Sequence, residues 1–340
     1  MNRSLLPSRL WHGIGITLLI SVAGFTAVAA VTRHTFSLRA LRTFDPGFLA
    51  LGVAAIASAW VVKAWRTRSL LWALGYDIPT RRLLQIYLAA AFASHITPGN
   101  SGGVPTHIYL VHKQGVRLGR SVALTAMDSA LNLVVGLAAL AVFVASRRVL
   151  LPATGHRVEL AVVAALALLL LAVGIFLCLM WRPRWTARLL RSAVGGIWKS
   201  PRGLKFGRRL GREALSLGLG LRVILARGWL MALVVLQTTA YWALYLAVAP
   251  LLILSLGLPV PWEQVIAAQV VFNFAQIFFP TPGGSGGAEL GMAYLFRGMV
   301  PSEDLGLFVL GWRFITFYLS LALGGWFFVD LFHRASEGAA

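Results

Sequence analysis

Two glycine-rich segments contain most of the residues in this chain that could bind a ligand. Residues 97–105 read Thr-Pro-Gly-Asn-Ser-Gly-Gly-Val-Pro, and residues 281–289 read Thr-Pro-Gly-Gly-Ser-Gly-Gly-Ala-Glu. A glycine-rich turn that opens a helix exposes successive backbone amides, and together with the helix N-terminus these amides can bind an anion such as phosphate. We therefore predict a binding site at both turns. Its residues would be Gly99, Asn100, Ser101, Gly102, Gly103, Gly283, Gly284, Ser285, Gly286 and Gly287.

Three ionisable residues lie in otherwise apolar stretches and complete the predicted binding site. Glu289 follows the second glycine turn, where it could simply complement the helix dipole, or could bind a cation or carry a proton. Asp128 and Arg313 follow their respective turns at nearly the same distance. This equivalence favours a central ion pair, which would either hold two halves together or form a substrate or switching site. With one base and two acids, such a site would accept a cationic group more easily than a bare anion.

The same sequence offers little support for catalysis. Both turns match Gly-x-Ser-x-Gly, but a hydrolase nucleophile of that kind needs a preceding strand and a positioned histidine with an acid. His95 and His107 flank the first turn, and no histidine flanks the second in the same way. The histidines lack metal-ligand spacing, and no Gly-Lys-Ser/Thr phosphate loop is present. We predict no catalytic residue, no metal and no cofactor, and therefore no enzyme.

The composition places these residues in a membrane protein. Of the 340 residues, 58% are hydrophobic and only 12% are charged, whereas a typical soluble domain has about 25% charged residues. The net charge of +20 comes from 31 Lys and Arg against 11 Asp and Glu. Because the basic residues flank apolar stretches, they indicate membrane orientation and contact with anionic headgroups, and not nucleic-acid binding.

The two glycine-rich turns interrupt apolar stretches at about 83–111 and 263–297. Neither half of either stretch reaches the roughly 20 residues that a crossing helix needs, so we predict two re-entrant helical hairpins with tips at 97–103 and 281–287. For the first apolar run we favour an uncleaved span over a signal peptide. The predicted spans are 13–31, 47–63, 121–145, 159–181, 229–257 and 305–331.

The distribution of basic residues predicts how these elements are oriented. Most Lys and Arg fall on one side if both termini are cytoplasmic and both hairpins return to the side they left. The hairpins then enter from opposite sides, which predicts an all-α inverted-repeat bundle with halves at 47–145 and 229–331. Residues 182–227 form a basic cytoplasmic loop that either lies on the inner surface as a helix or serves as a tether.

The Thr-Pro-Gly-x-Ser-Gly-Gly motif, its longer second copy ending in Ala-Glu, Asp128 and Arg313 together resemble the flippase-like family. That family is also called the lysylphosphatidylglycerol synthase transmembrane region, and it is related to the transport half of the bacterial multiple peptide resistance factor. The resemblance covers nearly the whole chain as a single domain, 1–340, and implies lipid transport. In bifunctional relatives this region moves aminoacylated phosphatidylglycerol to the outer leaflet, and a separate domain makes that lipid.

The chain ends at Ala340, soon after its last predicted span. We therefore expect no synthase domain, and the resemblance implies that other phospholipids or glycolipids could be the substrate. The expected role is translocation of an anionic or zwitterionic lipid headgroup from the inner to the outer leaflet of a bacterial or archaeal cytoplasmic membrane. Two alternatives stay open: an intramembrane enzyme acting on lipid headgroups, or a membrane scaffold for a lipid-synthesising enzyme.

Overall fold

A computed structural model describes residues 44–145, 225–276 and 279–337, together with residues 26, 218–220, 222 and 223. The regular structure of these residues is entirely helical. The predicted span 159–181, nearly all of 13–31 and most of the predicted loop 182–227 lie outside the described residues.

Helices of very different lengths make up the described bundle. The helices are α1 Pro46–Ala73, α2 Thr80–His95, α3 Gly103–Lys113, α4 Leu118–Ala145, α5 Gly228–Leu246, α6 Val248–Ser255, α7 Trp262–Ala275, α8 Gly287–Phe296, α9 Ser302–Arg313 and α10 Leu319–Glu337. Short 3₁₀ turns at Pro98–Asn100 and Pro282–Gly284 separate α2 from α3 and α7 from α8, and a π-helical turn at Phe314–Tyr318 joins α9 to α10.

Four segments are long and apolar enough to cross a membrane: Pro46–Ala73, Leu118–Ala141, Gly228–Ser255 and Ser302–His333. They correspond to four of the predicted spans. The third contains Pro250, which has no backbone N–H to donate to the Leu246 carbonyl one turn earlier. Gln269 Nε2 of α7 donates to that carbonyl at 2.7 Å, so a neighbouring helix satisfies the backbone group that the proline leaves open.

Helix α1 is longer than the sequence analysis predicted. Asp45 caps its start, because Asp45 Oδ1 accepts a hydrogen bond from Gly47 N at 2.7 Å. The helix then continues past residue 63 to Ala73. The predicted end of this span at residue 63 is therefore wrong, because residues 64–73 continue the helix. As a result Lys63 and Arg66 lie within the bundle, and the Arg66 side chain is completely buried.

The first glycine-rich turn joins two helices that return side by side. Thr97 Oγ1 donates to Ala93 O and accepts from Gly102 N, both at 2.8 Å, so one side chain links the end of α2 to the start of α3. At the other end of the pair, Arg82 Nε donates to Gln114 Oε1 at 3.3 Å. Contacts at both ends mean that α2 and α3 form an antiparallel hairpin.

The second turn begins with the same backbone conformation as the first and packs against it. Gly99 and Gly283 occupy equivalent places and have φ values of 59° and 60°, a left-handed conformation that favours glycine. The contact also requires glycine for reasons of space. A Cβ on Gly283 would overlap the Phe317 ring and would lie 3.1 Å from the His95 carbonyl oxygen.

Close helix packing continues beside the turns, where α2 and α10 make the most extensive contact of the described bundle. Gly324 allows this approach, since a Cβ there would lie 2.9 Å from Phe92 Cβ and would overlap the Leu88 carbonyl. Small residues at helix crossings are typical of membrane bundles, where packing replaces the hydrophobic effect as the main force between helices. The two turns thus lie beside a closely packed pair of helices.

Candidate functional site

Asp128 on α4 is shared between two basic residues of α1. Lys63 Nζ lies 2.5 Å from Asp128 Oδ2, and Arg66 Nε donates to Asp128 Oδ1 at 3.0 Å. Arg66 Nη2 also contacts the same Oδ1. The carboxylate therefore neutralises one of two neighbouring cations, and this cluster carries a net charge of one positive unit when all three groups are ionised.

The two cations of this cluster have different surroundings. Arg66 Nη1 donates to Thr238 Oγ1 at 2.8 Å and to Asn132 Oδ1 at 3.3 Å, so its guanidinium is bonded on every side. Lys63 keeps 11% of its side chain exposed, and its ammonium lies 5.6 Å from the Tyr241 ring centroid and 5.9 Å from that of Tyr87. Arg66 is the structural anchor, and Lys63 is the more accessible charge.

A second acid–base pair lies at the second turn. Arg313 Nε donates to Glu289 Oε1 at 2.8 Å, and Glu289 Oε2 accepts from Gly286 N at 2.6 Å. Arg313 also donates to the Gly283 carbonyl and to Ser285 Oγ, each at 3.3 Å. Glu289 is 0% and Arg313 2% exposed, so the pair fixes the turn to the last long helix from inside the protein.

The expected ion pair between Asp128 and Arg313 is wrong. Each residue is neutralised by a different partner, Asp128 by Lys63 and Arg66, and Arg313 by Glu289. The reason is that a buried charge binds the nearest opposite charge, and α1 supplies two cations that the sequence analysis had placed in a loop. Their spacing of three residues puts Lys63 and Arg66 on one helical face, which is the signal that could have identified them.

A cavity of about 340 Å³ opens beside the Lys63–Asp128 pair. Its wall is formed by α1, the hairpin of α2 and α3, α4, α5 and the π-helical turn with the start of α10. Its polar lining includes His107, which shares a hydrogen bond of 2.9 Å with Thr125, and His95, which shares one of 2.9 Å with Ser320. The other polar lining residues are Lys63, Tyr87, Ser94, Asn100, Asp128, Ser129, Tyr241, Tyr245 and Thr316.

The cavity brings together only part of the predicted site. Asn100, Gly103 and Asp128 line it, whereas Gly283, Gly284, Ser285, Glu289 and Arg313 are buried away from its wall. Gly99 and Ser101 lie at the exposed end of the first turn. The two turns are chemically different, because the first contributes to the cavity and the second packs behind it.

The backbone amides of both turns are used within the turns, contrary to the predicted anion site. In the first turn, Asn100 N donates to Thr97 O and Ser101 N donates to Pro98 O. In the second, Gly284, Ser285 and Gly286 amides donate to Thr281 O, Pro282 O and Glu289 Oε2. These amides already have acceptors within the turns, so side chains, and not these amides, present the charge to the cavity.

The described residues contain no group of three or more His, Cys, Asp or Glu side chains that could hold a metal ion. The polar chemistry of the cavity consists of one ammonium, one carboxylate, two imidazoles, amide and hydroxyl groups. These groups can bind and orient a polar ligand by charge and hydrogen bonding.

Within the described residues, helices long and apolar enough to cross a membrane line a charged cavity, which is the architecture of a multi-pass membrane protein. Residues 8–324 match the family described as Lysylphosphatidylglycerol synthase TM region. The chain belongs to this family. It is also 26% identical over 317 residues to a UPF0104 membrane protein of Archaeoglobus fulgidus, an alignment that covers 91% of this chain and 94% of that protein.

The buried pair at the second turn predicts a stability effect that can be measured. Glu289→Gln leaves the Arg313 charge unpaired, and removing one partner of a buried pair costs about 3–5 kcal/mol. We expect a clear fall in melting temperature in detergent, with much of it recovered in the double variant Glu289→Gln, Arg313→Met. Asp77→Asn is the control, because Asp77 pairs with Arg68 at the exposed surface, where an ion pair contributes little. Equal loss in single and double variants would contradict this account.

Proposed function

We propose that this protein translocates lipid headgroups from the inner to the outer leaflet of a bacterial or archaeal cytoplasmic membrane. The observation that carries the proposal is the charged cavity bounded by a glycine-rich helical hairpin within a bundle of membrane-spanning helices. Ionisable groups at membrane depth are costly, and they usually mark the path of a polar substrate. Broken helices typically form such sites in transporters.

The proposed architecture has six crossing helices, two re-entrant hairpins and an inverted repeat, with both termini in the cytoplasm. Three features support it: the equal backbone conformation of Gly99 and Gly283, the antiparallel packing of α2 against α3, and the contact between the two turns. Inverted repeats that meet at their broken helices offer two similar conformations, one open to each side.

Within this architecture the two halves have separate tasks. Asn100 and Gly103 of the first turn, together with Asp128 and Lys63, would receive the headgroup in the cavity. The second turn, which is bound through Glu289 to Arg313, would act as the element that moves. Arg313 ends α9, and the same continuous helical stretch carries the cavity-lining residues Thr316 and Ser320. A shift of the second turn would therefore change the shape of the cavity wall.

The proposed partners are membrane lipids, either phospholipids or glycolipids, and a lipid-synthesising enzyme could supply them. A hydrolase that uses a serine of either glycine-rich turn is less well supported, since a serine nucleophile needs an adjacent base. Ser101 Oγ donates to the Pro98 carbonyl at 2.9 Å, and Ser285 Oγ accepts from Arg313. Neither of these partners can take up a proton from the serine. A scaffold that only docks a lipid-synthesising enzyme would not need a charged cavity between its helices.

Filling the cavity tests the proposed transport directly. Ala91 lines the cavity, so Ala91→Phe should occupy headgroup space while leaving every charge in place. We expect proteoliposomes with this variant to exchange acyl-labelled native lipids no faster than protein-free liposomes, as measured by the fraction of label that dithionite quenches over time. The control is Ala57→Phe, which adds the same ring to an exposed position on α1.

Wild-type exchange by a folded Ala91→Phe variant would contradict transport through this cavity. Slow exchange by both phenylalanine variants would indicate a general effect of the added ring and would equally contradict the assignment. Melting temperature and detergent elution profile establish that each variant is folded before transport is compared.

The inverted repeat makes a prediction about sidedness. Gln114 follows the first hairpin and Gly298 follows the second, so in opposite orientations they face opposite sides of the membrane. In a Cys178→Ala background, single cysteines at Gln114→Cys and Gly298→Cys should react with an impermeant maleimide from opposite sides of right-side-out vesicles. Reaction of both from the same side would contradict the inverted repeat.

A further inference from the structure

We propose that the cavity selects lipids whose headgroup carries a net negative charge on a phosphate, together with hydroxyl groups that can donate hydrogen bonds. This inference rests on the proposed function and names the substrate class of the same site. The sequence analysis counted only Glu289, Asp128 and Arg313 and therefore expected a cationic ligand. The proposed ligand has the opposite charge.

The charge balance of the described cavity favours an anionic ligand. Asp128 provides one negative charge, and Lys63 and Arg66 provide two positive charges within hydrogen-bonding distance of it. Glu289 and Arg313 neutralise each other away from the cavity wall. One positive charge is therefore left over next to the cavity, and in a medium of low polarity it is stabilised by an anionic ligand.

Lys63, and not Arg66, is the cation that can reach a ligand. An ammonium has three donors, and the hydrogen bond of Lys63 within the described residues goes to Asp128. Lys63 can thus hold Asp128 and a phosphate oxygen at the same time. Arg66 Nε and Nη2 bind Asp128, and Arg66 Nη1 binds Asn132 and Thr238. The Asp128 carboxylate therefore keeps Arg66 as a partner even when Lys63 turns toward a phosphate.

Asn100 offers an acceptor to the part of the headgroup beyond the phosphate. Asn100 comes from the first turn and lines the cavity, and its buried side-chain carbonyl Oδ1 has no hydrogen-bond partner among the described residues. A buried acceptor of this kind is stabilised by a ligand donor. Sugar and glycerol hydroxyls are such donors, so the cavity fits a phosphate that is flanked by hydroxyl groups.

A cationic headgroup fits the same cavity poorly. Its ammonium would need Asp128, but both carboxylate oxygens already accept hydrogen bonds from Lys63 and Arg66. The rings of Tyr87 and Tyr241, which could attract a cation, already lie close to Lys63. A ligand ammonium at Asp128 would therefore meet a like charge and compete with Lys63 and Arg66 for the carboxylate.

The test compares two lipids with the same acyl chains, phosphatidylglycerol and phosphatidylethanolamine, in the full-length protein. Retention of each lipid is measured by native mass spectrometry, and dithionite quenching measures exchange of acyl-labelled forms. We expect the wild type to prefer phosphatidylglycerol in both assays. Lys63→Met should reduce the binding preference by roughly 10-fold to 100-fold, since hydrogen bonds to charged groups are the strong ones. Lys63→Arg, which keeps the charge, should retain most of the preference.

Lys113→Met is the matched control, because it makes the same substitution at an exposed residue at the end of α3. Competition by soluble glycerol 3-phosphate distinguishes a site for a lipid headgroup from one for a free phosphate compound: tight competition identifies a soluble ligand and overturns the lipid assignment. Equal or stronger retention of phosphatidylethanolamine also overturns the inference. Selective retention of phosphatidylglycerol without any lipid exchange upholds the anionic site and rejects translocation.

Discussion

The sharing of Asp128 between Lys63 and Arg66 is the interaction on which the cavity depends. Taking an ionised side chain out of water costs several kcal/mol, and only close opposite charges and hydrogen bonds offset that cost. Arg66 meets the requirement with bonds to Asp128, Asn132 and Thr238, and it thereby ties α1 to α4 and α5. Lys63 completes the cluster and remains partly exposed. The same contacts that join three helices thus leave a positive charge at the cavity.

The second constraint is the close contact between the two glycine-rich turns. Gly283 packs against Phe317 and the His95 carbonyl, where no larger residue has room. Arg313 binds the same turn and begins the stretch that continues through the π-helical turn to Ser320 on the cavity wall. A π-helical turn often marks a functional position in a helix. The ion pair at Glu289, the packing of the turns and the shape of the cavity are therefore linked through adjacent residues.

Sequence reasoning identified the broken helices well because proline and glycine have strong local effects on the backbone. Both Thr-Pro-Gly segments interrupt helices where predicted, and four of the predicted spans correspond to long apolar helices of the described bundle. The ion pairs could not be predicted in the same way, because partner choice depends on tertiary contacts. Ending the predicted span 47–63 at Lys63 treated Lys63 and Arg66 as loop charges, and this error reversed the expected sign of the charge at the site. The amides of the turns were likewise predicted to be open, but several amides in each turn donate to acceptors of the same segment.

The central claim is that Lys63 presents the unbalanced charge of the cavity to an anionic headgroup. The most direct measurement is a cryo-electron microscopy map of the protein in nanodiscs of phosphatidylglycerol. The account predicts phosphate density in the cavity at hydrogen-bonding distance from Lys63 Nζ, about 3 Å, with Arg66 still bound to Asp128. Headgroup density at Glu289 or on the amides of the turns, with Lys63 bound to Asp128 alone, would contradict it.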